Sequence, residues 1–348
     1  MSFFTKKSDF STFFFTLKLN FSNVILRLCG QVWNADGTFR HSTDLVRVVD
    51  GKRITYRQTY IISTKIECND GVFCFPIVYA LMRKKSKLSY YKLLEHLDAI
   101  HAEYNPESPP LIPRALSVDM EKACIVAFKQ YFDEKHGIDL KIRFCSFHLK
   151  QAVKRYLENQ WKNVPKSRAL MCRIFKLCCA MVYSPFQVNP LLRARFCQLL
   201  TDEVADANSK ARAAVSNLIQ FLQTNYLVMH EDQSFKCVSN WNYFGDILSG
   251  ETDTTNNTSE TINRKFNQDI KLGFKSFKKV AISIYQNKKY YIDKLHETVK
   301  KNRFRKRPLA LRRKMARRED LCFGFHQLEP EEQISQYKTF LLDIAKEL

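Results

Sequence analysis

The chain has no long hydrophobic run. Its most apolar stretch, Phe10 to Leu26, is split by Lys18 into two uncharged runs of eight residues. That is far short of the roughly 20 residues a membrane-spanning helix needs. Lys6-Lys7 precede a Phe-rich start, but Asp9 interrupts it and no small-residue cleavage site follows, so a secretory leader is not expected. A disulfide framework is missing as well. Eleven cysteines are scattered without a repeated spacing, and Cys178-Cys179 are adjacent, which is the usage of reduced thiols in a cytosolic or nuclear protein. Cys145-x-x-His148 is half a metal site with no second pair at ligand spacing; a structural zinc takes four ligands, so none is expected. Acidic charge is scarce. Against 56 Lys+Arg stand 35 Asp+Glu, a net charge of +21 and a pI near 9.5. Such an excess points to a polyanionic partner, nucleic acid before an anionic membrane.

The shortage of acids is complete between 300 and 318. There Lys300, Lys301, Arg303, Arg305, Lys306, Arg307, Arg312, Arg313, Lys314, Arg317 and Arg318 meet no Asp or Glu. Such a run is either a solvated basic tail or nuclear import signal, or a surface that binds DNA phosphates directly.

What is present is organised around Arg114 to Leu157, which reads as strand, helix, strand, helix. Ala115 to Val118 is a short strand ending on Asp119. Ala123, Ala127 and Tyr131 recur at helical spacing until His136-Gly137 breaks the pattern. Leu140, Ile142 and Phe144 alternate as a strand, and Leu149, Val153 and Tyr156 resume the helical period. A carboxylate at the carboxyl end of such a strand stands where open α/β sheets place ligands. Taken alone, Asp119 reads first as a helix N-cap, since Asp is a preferred cap.

Other segments fall in a definite order. Trp33-Asn34-Ala35-Asp36-Gly37-Thr38-Phe39 comes first, then Phe75 to Met82 with Ser89-Tyr90, then the Asp119 stretch with Cys145-x-x-His148. Thr255-Asn256-Asn257-Thr258-Ser259-Glu260-Thr261-Ile262-Asn263 closes the series. In these motifs, over roughly Gln31 to Ile284, the chain resembles the transposase domain of Mutator-like elements. The resemblance implies an α/β, ribonuclease-H-like mixed sheet with flanking helices and an all-helical insertion before the last catalytic helix. It implies DDE-type catalysis, with Asp36, Asp119 and Glu260 as catalytic, metal-ligating acids for Mg²⁺ or Mn²⁺. Cys145 and His148 would be family residues near the site. Double-stranded DNA, as transposon ends and target, would be the partner of a homodimer or higher oligomer in the nucleus. Two divalent cations suit phosphodiester cleavage and transfer because they clamp the attacking and leaving oxygens. A rival reading is a domesticated, catalytically silent DNA-binding or regulatory protein of the same descent. Many relatives carry a zinc-binding DNA-recognition module upstream. No Cys/His cluster precedes Trp33, so a truncated copy or a misjudged gene start is expected.

The expected division is a 1–30 extension, a core part 31–163, a helical insertion 164–250, the last catalytic helix within 251–290, and a basic helical region 291–348. Val32 to Asp36 reads as a first strand, with Asp36-Gly37 also a turn signal. Thr55 to Ile66 alternates as one strand, Asn69-Asp70-Gly71 is hairpin chemistry, and Val72 to Met82 returns. Ala169 to Tyr183, Leu191 to Val204 and Ala211 to Met229 are helical by period. Cys172, Cys178, Cys179 and Cys197 among them are expected to pack as small hydrophobes. Glu260 opens a helix carrying Ile262, Phe266 and Ile270 on one face; a capping box, Asn257 to Glu260, is the structural alternative there. From Phe277 the helical period continues to Val299, and Gln327 to Leu348 closes with a short amphipathic helix.

Overall fold

The computed structural model describes residues 12–16, 31–38, 45–49, 51–68, 71–164, 168–229, 237–250, 257–269, 277–301, 305–306 and 308–348. Of these, 12–16, 257–260, 301, 305, 306 and a few others are described by backbone alone. The chain divides into two compact units: Met1–Arg143 with Asn256–Arg307, and Phe144–Thr255 with Pro308–Leu348.

The first unit is α/β. Its strands are β1 (Thr12–Thr16), β2 (Val32–Thr38), β3 (Leu45–Val49), β4 (Lys52–Tyr56), β5 (Gln58–Cys68), β6 (Gly71–Met82), β7 (Ala115–Val118), β8 (Lys141–Phe144, whose last residue opens the second unit) and β9 (Arg305–Lys306). Its helices are α1 (Lys87–Tyr104), α2 (Lys122–His136), α9 (Asn257–Asp269) and α10 (Phe277–Lys301), numbered along the whole chain. The main sheet runs β1-β6-β5-β2-β7-β8, with β9 on β6. Strands β2, β5 and β6 pair antiparallel, and β2 pairs parallel with β7. The five central strands therefore form a mixed sheet whose spatial order is third, second, first, fourth, fifth, compatible with a ribonuclease-H-like plan.

Both faces of this sheet are covered, so β5 is buried on both sides despite its polar alternation: Tyr60, Ile61 and Ile62 are all buried, and so are Ser63 and Thr64. The two hydroxyls are tolerated because β2 satisfies them. Ser63 Oγ donates to Asn34 O at 3.2 Å and Thr64 Oγ1 to Val32 O at 3.0 Å. One face carries Trp33, edge-on to Phe132 of α2, and Tyr60, whose Oη lies 2.9 Å from Cys124 Sγ. Residues one step along each strand point to the other face. Tyr79 there packs on Phe266 of α9 and donates to Asn287 Oδ1 of α10 at 2.5 Å.

The Thr55–Ile66 run is not one strand. It breaks at Arg57, and residues 52–56 form a hairpin with β3 as a separate two-stranded sheet. Ile54, Tyr56, Gln58 and Tyr60 are all buried on a strict period of two, which continues through the break. Only the distant partner of each half distinguishes them. Gly51, at φ 73°, supplies the left-handed turn. Pro76 of β6 stands opposite Ser63, where the register shifts between Ile62 and Ser63; a strand proline without an N–H is tolerated at such a bulge.

The described elements of the second unit, after the end of β8, are helical: α3 (Ser146–Trp161), α4 (Arg168–Ala180) with a 3-10 turn at Met181–Tyr183, α5 (Leu191–Asp202), α6 (Ser209–Asn225), α7 (Val238–Trp241), α8 (Phe244–Leu248), α11 (Leu309–His326) and α12 (Pro330–Lys346). Ile174, Leu177, Phe196, Leu199, Leu218 and Leu341 are among its buried residues. Inside, Tyr337 Oη lies 2.7 Å from Ser184 Oγ. Glu329 and Glu332 form a capping box for α12, with Pro330 at its first turn. Cys178 and Cys179 are buried, and burial pushes both thiols up, Cys179 to about 11. Cys197 is half-buried, and Cys172 is exposed, contrary to the expected packing. Cys172 stands two positions before buried Ile174, which turns them about 200° apart on the helix.

Candidate functional site

The site builds from β2. Its side chains alternate between faces, so Asn34, Asp36 and Thr38 share the face covered by α9. Asn263 Nδ2 donates to Asp36 Oδ2 at 2.6 Å, and one turn further along α9 the Asn267 amide meets Thr38 Oγ1 at 3.3–3.4 Å. Asn263 is buried at 7% exposure, and its Oδ1 has no hydrogen-bond partner among the described residues. A helix thus rests on this strand through amide side chains directed at its polar positions.

Gly37, between Asp36 and Thr38, faces the other way. A Cβ there would stand 2.6 Å from Gln58 Oε1. Gln58 is buried and held, donating to Tyr90 Oη at 3.1 Å and to Met82 Sδ at 3.4 Å. The Asp-Gly pair is therefore inside a strand, and its glycine lets the Gln58 side chain pack closely against β2.

Asp119 follows β7 directly. The parallel register of β2 and β7 ends with Ala35 paired to Val118; the residues that follow are Asp36, still within β2, and Asp119, one residue past the end of β7. Both are half-buried. Asp119 does not cap the following helix. The N-cap of α2 is Glu121, and no side-chain bond is made there. Glu121 is instead tied elsewhere: Tyr90 Oη donates to its Oε1 at 2.6 Å and Lys85 Nζ to its Oε2 at 2.9 Å. Burial, then the bond to Glu121, holds the Tyr90 phenol well above its ordinary pKa. Glu121 N also donates to Asp119 O at 2.8 Å, so this network fixes the turn leaving Asp119. Nothing in the spacing of Lys85, Tyr90 and Glu121 signals it.

Glu260 is in α9, three residues before Asn263; its carboxylate, and the possible capping box with Asn257, lie outside the described residues. Cys145 and His148 belong to the second unit, at the start of α3. Cys145 is buried at the N-cap, and its carbonyl accepts from His148 N at 3.1 Å and Leu149 N at 3.2 Å. Among the described residues no three of His, Cys, Asp and Glu come together as a metal-holding group.

The basic run divides. Residues 302–304 and 307 lie outside the described residues, and Lys301, Arg305 and Lys306 are described by backbone alone. Lys300 is exposed at the end of α10. Arg312, Arg313 and Lys314 are exposed on the first turns of α11. Arg317 reaches Glu347 at 3.3 Å. Arg318 lies over the Tyr183 ring, 5.4 Å from its centroid, and donates to Tyr183 Oη at 2.7 Å, so it is part of the fold of the second unit.

No family model matches the chain, and no curated protein does. Among solved structures it is similar to a chain of a Drosophila P element transposase strand transfer complex. The two are 10% identical, with a TM-score of 0.25, over 90% of this chain and 76% of that one. None of the described helices is long and apolar enough to cross a membrane.

Proposed function

We propose that this chain is a DDE-type DNA transposase of the Mutator-like class, cutting and joining DNA strands with Asp36, Asp119 and Glu260. The observation that carries the reading is the parallel register of β2 and β7, whose last pair, Ala35 with Val118, is followed in the chain by Asp36 and Asp119. The helix bearing Glu260 is bonded to Asp36 through Asn263. The order of the acids matches the motif resemblance.

The donor set suits Mg²⁺ or Mn²⁺, because the three acids offer hard oxygens and include no thiolate or imidazole. The buried Asn263 Oδ1, without a partner among the described residues, adds a neutral oxygen. Bound divalent cations would supply charge stabilisation at the attacking and leaving oxygens of the phosphodiester. The chain's own contribution is to fix the spacing of the carboxylates. Strands β2 and β7 carry two of them, α9 carries Glu260, which would supply the third, and the Tyr90–Glu121–Lys85 network secures the Asp119 turn. The exposed cations of α11 would hold the duplex backbone, in the nucleus, with the protein acting as an oligomer on its DNA.

The test is DNA nicking with Mg²⁺ or Mn²⁺ by Asp36→Asn, Asp119→Asn and Glu260→Gln. All three should lose nicking, with the melting temperature of the metal-free protein unchanged or slightly raised by relief of carboxylate repulsion. Gln can still serve at N3 of a capping box, so Glu260→Gln removes only the anionic ligand. Full-rate nicking by that variant would remove Glu260 from the site. Absence of nicking by the unmodified protein on every DNA end would favour a catalytically silent DNA-binding protein.

A further inference from the structure

Asn263 is placed unlike a surface residue of a polar helix. It is 7% exposed, one amide hydrogen is committed to Asp36 Oδ2 at 2.6 Å, and its carbonyl oxygen is buried with no hydrogen-bond donor among the described residues. Buried side-chain oxygens in folded proteins are nearly always satisfied. At the neighbouring helix position that faces β2, the Asn267 oxygen accepts from Thr38 Oγ1 at 3.4 Å, so of these two amides the unmet oxygen is the one on the carboxylate.

We propose that Asn263 is a positioning residue for a divalent cation at Asp36, an inference that rests on the metal-dependent function proposed for these acids. Its amide nitrogen holds one carboxylate oxygen and so fixes the rotamer in which Asp36 meets the ion. Its own carbonyl oxygen is a neutral acceptor beside that carboxylate. An amide suits this position where an acid does not: it grips the carboxylate without adding repulsion between the uncompensated charges of the metal-free protein. Partners that orient a ligand in this way are usually worth 10–100-fold in metal affinity.

The experiment is a Mn²⁺ titration of the full-length protein, followed by calorimetry and by the melting temperature with and without Mn²⁺. Asn263→Ala should weaken Mn²⁺ binding by at least about tenfold without loss of the folded state. Asn263→Asp, nearly the same size, covers the case in which the alanine variant does not fold. It should lower the metal-free melting temperature by setting two carboxylates together, and Mn²⁺ should raise that temperature by more than it does in the unmodified protein. A residue that only packs would change the melting temperature without this dependence on the ion. Mn²⁺ binding by Asn263→Ala at unmodified affinity, or an Asn263→Asp defect that Mn²⁺ does not reverse, overturns the role of Asn263 alone. An unmodified protein that binds no Mn²⁺, or binds it equally well as Asp36→Asn, overturns the metal site itself and this inference with it.

Discussion

Gly37 on β2 and its diagonal neighbour Gln58 on β5 approach so closely that a methyl group on Gly37 would lie 2.6 Å from Gln58 Oε1. Gln58 cannot swing away freely, because its amide is bonded to both Tyr90 and Met82. Gly37→Ala should therefore destabilise the protein by about 1–3 kcal/mol, the usual penalty for overpacking a filled interior. Truncating the obstacle should recover part of it. In a double-mutant cycle with Gln58→Ala, measured by denaturant unfolding, a coupling of about 1 kcal/mol is expected. Simple additivity of the two changes would show that the glycine is not there for Gln58.

Arg312, Arg313 and Lys314, exposed on the first turns of α11, should act on DNA through phosphates. Replacing Arg312, Arg313 and Lys314 with Ala should weaken binding to all duplexes alike. It should also flatten the slope of log K against log salt by about 0.9 for each phosphate that is no longer neutralised. Arg318→Ala should behave differently, lowering stability by about 1–2 kcal/mol as the Tyr183 hydrogen bond and the cation–ring attraction disappear. A triple variant that binds one sequence more weakly and all others unchanged would rule out phosphate binding by this helix.

Lys288 on α10 gives a pH-dependent signature. Burial lowers its ammonium from the ordinary 10.5 to about 8. Between these values the unfolded chain binds a proton that the folded chain does not, so stability rises as pH rises through that window. Lys288→Met should then stabilise the protein at pH 7 by about 1–3 kcal/mol, and the advantage should shrink towards zero near pH 10.5. Melting temperatures of the two proteins across this range decide it; a constant difference would mean that the ammonium is not desolvated.

Cys145 and His148 should hold no structural zinc. Elemental analysis of chelator-washed protein is expected to find no stoichiometric metal. One zinc per chain, absent from Cys145→Ala, would overturn this.

Much of the first unit can be read along the chain because its signals are local. The β7 run ending on Asp119 and the helical spacing of Ala123, Ala127 and Tyr131 need no distant information. The break at Arg57 is not legible, since burial on a period of two runs unbroken from Ile54 to Tyr60. Asp50-Gly51 is the same dipeptide signal as Asp36-Gly37, and it alone marks the extra hairpin. The cap at Glu121 is hidden because Tyr90 and Lys85, from outside that helix, decide where its carboxylate goes. The bond between Asn263 and Asp36 joins residues 227 apart. Motif order brings the two segments to attention, but no periodicity foretells which atoms meet.

The sheet unit is discontinuous in the chain: its last two helices are made only after the intervening Phe144–Thr255 segment. During synthesis at about 5–20 residues per second, that delay is on the order of ten seconds. For that interval the strand face bearing Asp36, Ile61 and Tyr79 has been translated but lacks its covering helices. A nascent chain stalled before residue 257 presents apolar strand surface without Phe266 to cover it. Closure of this face therefore waits on the segment that follows residue 256.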